Sequence, residues 1–481
     1  MQLSPVLNIL GLLTGMLGVA MLIPMCFDLY YGSGDWQVFA VSALLTAFVG
    51  VAVWLATSQR EPFDLGLRQA FLLTNGSWIL IGVFGSLPFM FCELNLSPTD
   101  AIFESVSGIT TTGSTVLENV EAASAGILIW RALLQWLGGV GIIVMAMAVL
   151  PMLSVGGMQL FRTESYDSAD KVVPRAAQLA GGIGLVYACL TATWTIMLSM
   201  AGLDFFDALA HAMTTIATGG YSTKTASIAA FDSVSVEWII IAGMIVGSLP
   251  FAHYLAAVRG GWRALIKDPQ VRWFMMLLVG VVTLLGWFLY DEGMPMTLAI
   301  RQASFNAISI MTGTGFGSAN FSAWGGFAST LLLMAMFIGG CSGSTTCGIK
   351  VFRLQVLATT IRVQIGRLLR PHAVVLAYYN RRPVTPEVMD SVMGFFYLYI
   401  VCFVMLAILL GMMGLDFITA LSGAATSISN VGPGLGNLIG AEGNFASVPD
   451  AAKWVMAFGM LLGRLELFTV LVMLNPGFWQ R

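Results

Sequence analysis

Charge is what this chain has least of. Asp, Glu, Lys and Arg make up 10% of its 481 residues and the mean hydropathy is +0.85, whereas a soluble domain carries roughly 25% charged residues. A water-facing surface cannot be assembled from so few ionised groups, so the chain is expected in a bilayer. No Lys/Arg run is long enough to neutralise a track of phosphates and the isoelectric point is about 5.7, which excludes nucleic acid as a partner. His211, His253 and His372 stand far apart, and Cys26, Cys92, Cys189, Cys341, Cys347 and Cys402 contain no CxxC pair. That scarcity argues for structural thiols and against a zinc or haem centre or any other cofactor. No Lys or Arg precedes Arg60, so the charged start of a cleavable signal peptide is missing and the first apolar run is expected to stay as a span.

Glycine, by contrast, is abundant, with 53 residues. It costs up to about 1 kcal/mol inside a helix, so some of these glycines must serve backbone that is not helical. Runs long enough to cross about 30 Å of hydrocarbon lie near residues 5–26, 36–57, 69–92, 126–153, 176–201, 237–258, 271–290, 324–349, 391–413 and 453–474, which predicts ten spans. Gly11 and Gly15 form a GxxxG in the first of them, a weak signal for close helix packing.

Shorter segments sit between some of these runs. They read DAIFESVSGITTTGSTV from Asp100, DALAHAMTTIATGGYS from Asp207, ASFNAISIMTGTGFG from Ala303 and ALSGAATSISNVGPGLG from Ala420. Each is a stretch of helix-forming residues, too short to cross, that ends in small or hydroxyl residues and a glycine: Gly113, Gly219, Gly315 and Gly432. The recurrence every hundred residues or so marks an internal repeat. One long run precedes each short segment and one follows it, so every repeat returns the chain to its starting side. All four repeats are therefore expected to be parallel, related by an axis along the membrane normal. The expected organisation is a two-helix hairpin over 1–65 and repeats over 66–165, 166–265, 266–383 and 384–481.

Basic residues set the orientation. Seventeen Lys and Arg fall on the side reached after the second, fourth, sixth and eighth spans, against four on the other. The first side is expected to be the cytoplasm, with both termini inside and the short segments entering from outside. Acidic residues follow the opposite pattern, 16 outside and 8 inside, which would concentrate cations at the outer mouth.

Non-helical backbone at membrane depth is tolerated where protein or a water-filled cavity satisfies its polar groups. Four such segments around one axis can present carbonyl oxygens to a dehydrated monovalent cation, helped by the partly negative C-terminal ends of the short helices. The predicted object is a cation-selective pore in an all-α membrane protein, with ten transmembrane helices and four re-entrant pore helices in pseudo-fourfold arrangement.

At this point the chain resembles the Trk/Ktr/HKT superfamily of potassium transporters, and within it the TrkH-type pore subunit. The similarity runs through GITTTGSTV, IATGGYST, TGTGFG, NVGPGLGN, QWLGGVGIIVMAMAVLPML, GGCSGSTTCGIK and LLGRLELFTVLVML. It implies potassium uptake across the bacterial inner membrane and a filter built on Gly113, Gly219, Gly315 and Gly432. The carbonyls lining the ion sites would come from Thr111 and Thr112, Ala217 and Thr218, Gly313 and Thr314, and Asn430 and Val431. It also implies a homodimer that docks a cytosolic, nucleotide-binding regulatory subunit. Sodium-favouring plant relatives often carry Ser at the first filter glycine, so Gly113 points to K⁺. One glycine per segment implies weaker discrimination against Na⁺ than a potassium channel achieves.

The eighth span is interrupted by GGCSGSTTCG, and a flexible loop there is expected to obstruct the ion path as a gate formed by Gly339, Gly340, Ser342, Gly343, Ser344, Thr345, Thr346, Gly348 and Lys350. Gly343 to Lys350 is not a phosphate-binding loop, because Ile349 separates Gly348 from Lys350 and Val351 stands where Ser or Thr is required. Arg464 is the one ionised residue deep in the last span apart from its neighbour Glu466. Its bland reading is an internal pair with Glu466 or snorkelling to the interface; in the family reading it joins the gate as an electrostatic barrier. Arg131, near the outer end of its span, is placed either to anchor the filter or to sit at the interface, and the basic stretch Arg353 to Arg382 is expected to be a solvated cytoplasmic face that is also a candidate to dock the regulatory partner. An ion-coupled symporter driven by H⁺ or Na⁺ is the alternative transport mode. A solute transporter would be expected to show inverted or twofold repeats, and an intramembrane enzyme would need a nucleophile and base that no span carries.

Overall fold

The computed structural model describes residues 3–58, 66–148, 172–261, 263–370, 372, 376–380 and 382–480. The expected boundaries at 65 and 165, the end of the span expected over 126–153, and Arg60, Arg162, Lys171, Arg381 and Arg481 of the basic side lie outside these residues. The described residues are mostly helical, with one two-residue antiparallel ladder among them in which Tyr378 faces Pro383 and Tyr379 faces Arg382.

Among the described residues, seven segments are long and apolar enough to cross a membrane: Ser4–Tyr31, Trp36–Ala56, Leu67–Phe91, Ala125–Ala146, Ala180–Met200, Pro269–Asp291 and Pro386–Met412. Three of the ten expected spans are therefore not single long helices. The run at 237–258 forms Val234–Gly247, where Gly247 and Pro250 stop the helix because proline has no amide to donate. The run at 324–349 forms Gly326–Met336 and resumes as Val351–Leu369 after the glycine-rich interruption. The run at 453–474 forms Asp450–Arg464 and Leu467–Leu474, bent by 114°. Glu466, with φ of 61°, carries that bend.

The N-terminal pair packs through glycine, as its GxxxG suggested. A methyl group at Gly11 would lie 2.7 Å from Trp54 N, and one at Gly18 would lie 2.6 Å from Ala47 N, so Ser4–Ala20 and Trp36–Ala56 approach backbone to backbone.

Inside the bundle lie four short helices, Pro98–Ile109, Phe205–Ile216, Met296–Met311 and Phe417–Ser429. Three begin at a side-chain cap: Ser97 accepts from Asp100 N, Asp204 from Asp207 N and Asp416 from Thr419 N. Such caps satisfy amides that a helix start leaves without partners. Polar residues such as Ser107, Thr214, Ser309 and Thr426 on these helices are buried, among them hydroxyls that bond to backbone carbonyls and so need no water.

Candidate functional site

Each short helix is followed by a turn with the same backbone signature. One residue enters the left-handed region and, two residues later, a glycine does so again: Thr111 (φ 53°) and Gly113 (86°), Thr218 (50°) and Gly220 (78°), Gly313 (69°) and Gly315 (82°), Asn430 (53°) and Gly432 (108°). The amide between them bonds back into the helix, from Thr112 to Ser107 O, Gly219 to Thr214 O, Thr314 to Ser309 O and Val431 to Thr426 O, at 2.8 to 3.1 Å. This register corrects the second segment. Gly220, not Gly219, matches Gly113, Gly315 and Gly432; the residues before it are Thr218 and Gly219, and Ala217 caps the helix. Spacing alone cannot choose between two adjacent glycines, whereas the hydrogen bond to Thr214 does.

The four turns meet in a closed ring. A side chain at Gly113 would overlap Gly219 O, one at Gly220 would overlap Thr314 O, one at Gly315 would overlap Val431 O, and one at Gly432 would crowd Thr112 O. Each of these carbonyls belongs to the residue just before the left-handed glycine of its own segment. Positive φ and the neighbouring oxygen both demand glycine at these four positions.

Side chains from the surrounding helices pin the ring. Gln135, buried on Ala125–Ala148, donates from Nε2 to Gly219 O (2.6 Å) and accepts from Tyr221 N (3.0 Å). One turn earlier Arg131 pairs with Glu104 (2.8 Å), donates to Ser222 O (2.9 Å) and to Thr115 Oγ1 (3.1 Å), and stacks 4.1 Å from the Tyr221 ring centre. Glu104 also accepts from Val116 N (2.9 Å). Of the two roles open to Arg131 in the sequence, the structure places it as an anchor of the segments leaving two turns. Asn430 Nδ2 reaches Thr112 Oγ1 (2.8 Å) and Met460 O (2.9 Å). Lys453, 2% exposed, pairs with Asp100 at the start of the first short helix (2.6 Å). Gln135, Glu104, Tyr221 and Lys453 escaped sequence reasoning; the available signal was that Glu104 and Lys453 are ionisable residues in apolar surroundings.

Outside the ring, Glu121 joins the loops that follow the first two turns. Burial works to raise its carboxyl, but hydrogen bonds from the Thr225 hydroxyl and amide outweigh it and hold the group below the usual glutamate range.

Residues 337–350 form a loop closed on itself rather than a loose connection. Gly339 N donates to Ile349 O (3.0 Å), Ile349 N to Phe337 O (2.9 Å), Gly340 N to Thr346 Oγ1 (3.0 Å) and Val351 N to Gly340 O (3.1 Å). Gly339, Gly340, Ser342, Ser344, Thr345 and Thr346 are buried, while Gly343 and Gly348 turn the chain at φ of 76° and 70°. Lys350 Nζ donates to Thr346 O. Thr345 touches the ring: its Oγ1 accepts from Thr218 Oγ1 (3.0 Å) and donates to Gly247 O (2.9 Å).

Arg464, 1% exposed, holds the same loop. Its Nη1 donates to Thr345 O (2.9 Å) and Cys347 Sγ (2.7 Å), and its Nη2 to Gly138 O (2.8 Å). Its Nε finds no partner among the described residues. The internal pair expected of Arg464 with Glu466 is overturned, because Glu466 pairs with Arg353 instead. Residues two apart do not share a helix face, and the bend at Glu466 turns the carboxylate further away.

A sequence profile of the TrkH family, described as cation transport protein, matches residues 35–477. The chain belongs to the TrkH family. The chain is 42% identical over 99% of its length to the Trk system potassium uptake protein TrkI of Halomonas elongata, covering 97% of that protein. It is 36% identical to the Trk system potassium uptake protein TrkH of Escherichia coli K12, with both chains fully covered. Its fold matches the crystal structure of the potassium transporter TrkH from Vibrio parahaemolyticus with a TM-score of 0.92 over the whole of both chains, at 36% identity. TrkH proteins are transporters rather than enzymes, in keeping with the apolar helices of this membrane protein.

Proposed function

We propose that this chain carries K⁺ into the cell across the plasma membrane through the ring of four glycine turns. The closed ring itself is the observation that carries the proposal: four parallel approaches of carbonyl to glycine leave backbone oxygens, with no side chain between segments, as the groups that replace water around a dehydrated cation. The filter is then Thr111 to Gly113, Thr218 to Gly220, Gly313 to Gly315 and Asn430 to Gly432. Potassium as the ion follows the names of the similar proteins and the presence of Gly113.

The short helices have 12, 12, 16 and 13 residues, which at 1.5 Å per residue is too short to cross the bilayer. In the proposed arrangement they re-enter from outside in four parallel repeats after the N-terminal hairpin, with both termini in the cytoplasm. The 337–350 loop and Arg464 form the gate: the loop fills the path against Thr218, and the guanidinium repels a cation that approaches. The names of the relatives place them in a Trk system, which supports a regulatory subunit on the cytoplasmic side; a homodimer completes the proposal.

Cells lacking their own K⁺ uptake, supplied with this chain and its partner, are expected to grow at low K⁺. Reversal potentials of the protein in liposomes under K⁺, Na⁺ and pH gradients test the mode directly. A K⁺-selective current insensitive to pH and to the Na⁺ gradient supports a passive pore, and a current that tracks either gradient supports coupling. Unchanged K⁺/Na⁺ discrimination in Gly113→Ser counts against the filter.

A further inference from the structure

Thr345 belongs to the interrupting loop, yet its hydroxyl meets the ring. It accepts from Thr218 Oγ1 (3.0 Å), whose single proton it shares with Ala217 O (2.8 Å), donates to Gly247 O (2.9 Å), and lies 3.2 Å from Ile216 O at the end of the second short helix. Its carbonyl accepts from Arg464 Nη1 (2.9 Å), and its amide donates to Gly247 O (3.2 Å). Every polar group of this one residue is thus committed, to the second turn, to the helix behind it, or to the buried arginine. Thr218 is the left-handed residue of the second turn, with φ of 50°, and it is 1% exposed. A non-glycine residue in that conformation stands about 1 kcal/mol or more above its relaxed state and persists when its surroundings hold it.

The other three turns are held differently. Thr111 and Asn430 occupy the positions equivalent to Thr218, and the third turn has Gly313 there. Hydroxyl pairs brace two of them, Thr110 with Thr112 and Thr312 with Thr314, both at 2.7 Å, and Asn430 bonds to Thr112 and Met460. All of those partners lie on the short-helix segments themselves or on the last helix. The second turn has a partner on the loop that is proposed to move.

We infer that Thr345 is a positioning residue that couples the gate to the filter, so that displacing the loop also releases the Thr218 turn and lowers K⁺/Na⁺ selectivity. The inference rests on the pore reading above. Because coupling between two sites is reciprocal, loosening the filter side of the contact must also loosen the gate. The open state is then less selective than the closed arrangement of the ring would be.

The test uses the full chain in planar bilayers, with bi-ionic K⁺/Na⁺ reversal potentials and basal K⁺ flux as the two readouts. Thr345→Val keeps the shape and removes the hydroxyl. It is expected to raise basal flux and to lower the K⁺/Na⁺ permeability ratio about fivefold, the equivalent of about 1 kcal/mol at 1.36 kcal/mol per tenfold. Thr345→Ser restores the hydroxyl and is expected to behave as the parent does. Thr218→Val should raise basal flux from the filter side, and the double variant should shift the ratio no further than either single. A Thr345→Val protein with higher flux but the parent's permeability ratio, or a double variant whose shifts add, overturns the coupling. If Thr345→Val does not fold, Thr218→Val decides, since unchanged basal flux in that variant refutes the reciprocal effect. A parent protein without K⁺-selective current removes the pore reading and the coupling together, whereas a selective parent with a silent Thr345→Val removes the coupling alone.

Discussion

Arg353 and Glu466 form a buried ion pair that joins the helix after the interrupting loop to the bend of the last apolar segment. Arg353 is fully buried and also stacks 3.8 Å from the centre of the Phe395 ring. The pair ties together the two breaks, in Gly326–Leu369 and in Asp450–Leu474, that distinguish these segments from continuous spans. Removing one partner leaves the other charge buried, which typically costs about 3–5 kcal/mol. Glu466→Gln is therefore expected to lower the melting temperature of the purified protein strongly. Combining Glu466→Leu with Arg353→Met should recover much of the loss; a double variant as unstable as the single one would show that packing rather than charge decides.

The register of the second turn makes a prediction at neighbouring residues. Gly220→Ala places a methyl group against Thr314 O at positive φ, where backbone must give way, whereas Gly219→Ala meets the movable side chain of Gln135. Gly220→Ala should abolish K⁺ transport, and Gly219→Ala should reduce it to a smaller degree. Gln135→Leu, which leaves the Tyr221 amide without its acceptor, is expected to cost about 1–3 kcal/mol of stability at that site. Ion flux and thermal unfolding on the three proteins check the order.

For Arg464, substitution by alanine removes a positive charge and both bonds to the loop at Thr345 and Cys347. Basal K⁺ flux is expected to rise several-fold. Arg464→Lys keeps the charge but cannot span Thr345, Cys347 and Gly138 at once, so its flux should fall between the two. Equal or lower flux in correctly inserted Arg464→Ala protein argues against a barrier.

The Glu121 to Thr225 contact gives a pH dependence with a definite sign. The folded carboxyl titrates below its unfolded value, so its contribution is fully present above the unfolded pKa and is lost as pH falls through the folded one. Hydrogen exchange at the Thr225 amide, which donates to Glu121, and at the Val120 amide, which donates to Thr225 Oγ1 (2.9 Å), should stay slow at neutral pH and accelerate, relative to Thr225→Val, as the medium is acidified below the glutamate range. The variant keeps the backbone bond to Glu121 and loses the hydroxyl bond, so its pH step should be smaller.

Much of the site was legible in the sequence because it is written in residue types with few alternatives. The four hydroxyl–glycine segments, the glycine-rich interruption and the lone deep arginine all stand out against an apolar background, and each lies where the structure builds the ring or the loop. What was missed has a common cause. Gln135, Tyr221 and Glu104 sit on helices or segments distant in sequence from the turns they hold, and a glutamine or tyrosine within a long apolar run carries no sign of its partner. The length of the helices was misjudged where hydropathy continues across a break, because an apolar average does not register that Gly247 and Pro250 end a helix or that Glu466 bends one.

By itself the sequence determined the solvent and the kind of object: too little charge for a water-facing surface, and glycine turns repeated four times among apolar runs. The tertiary structure decided which glycine of an adjacent pair enters the ring, which carboxylate takes which arginine, and how the loop is held. The reason is physical. Hydrophobicity and backbone freedom are properties of single residues and survive in a linear reading, whereas a hydrogen-bond partner exists only once folding has brought two distant groups within about 3 Å.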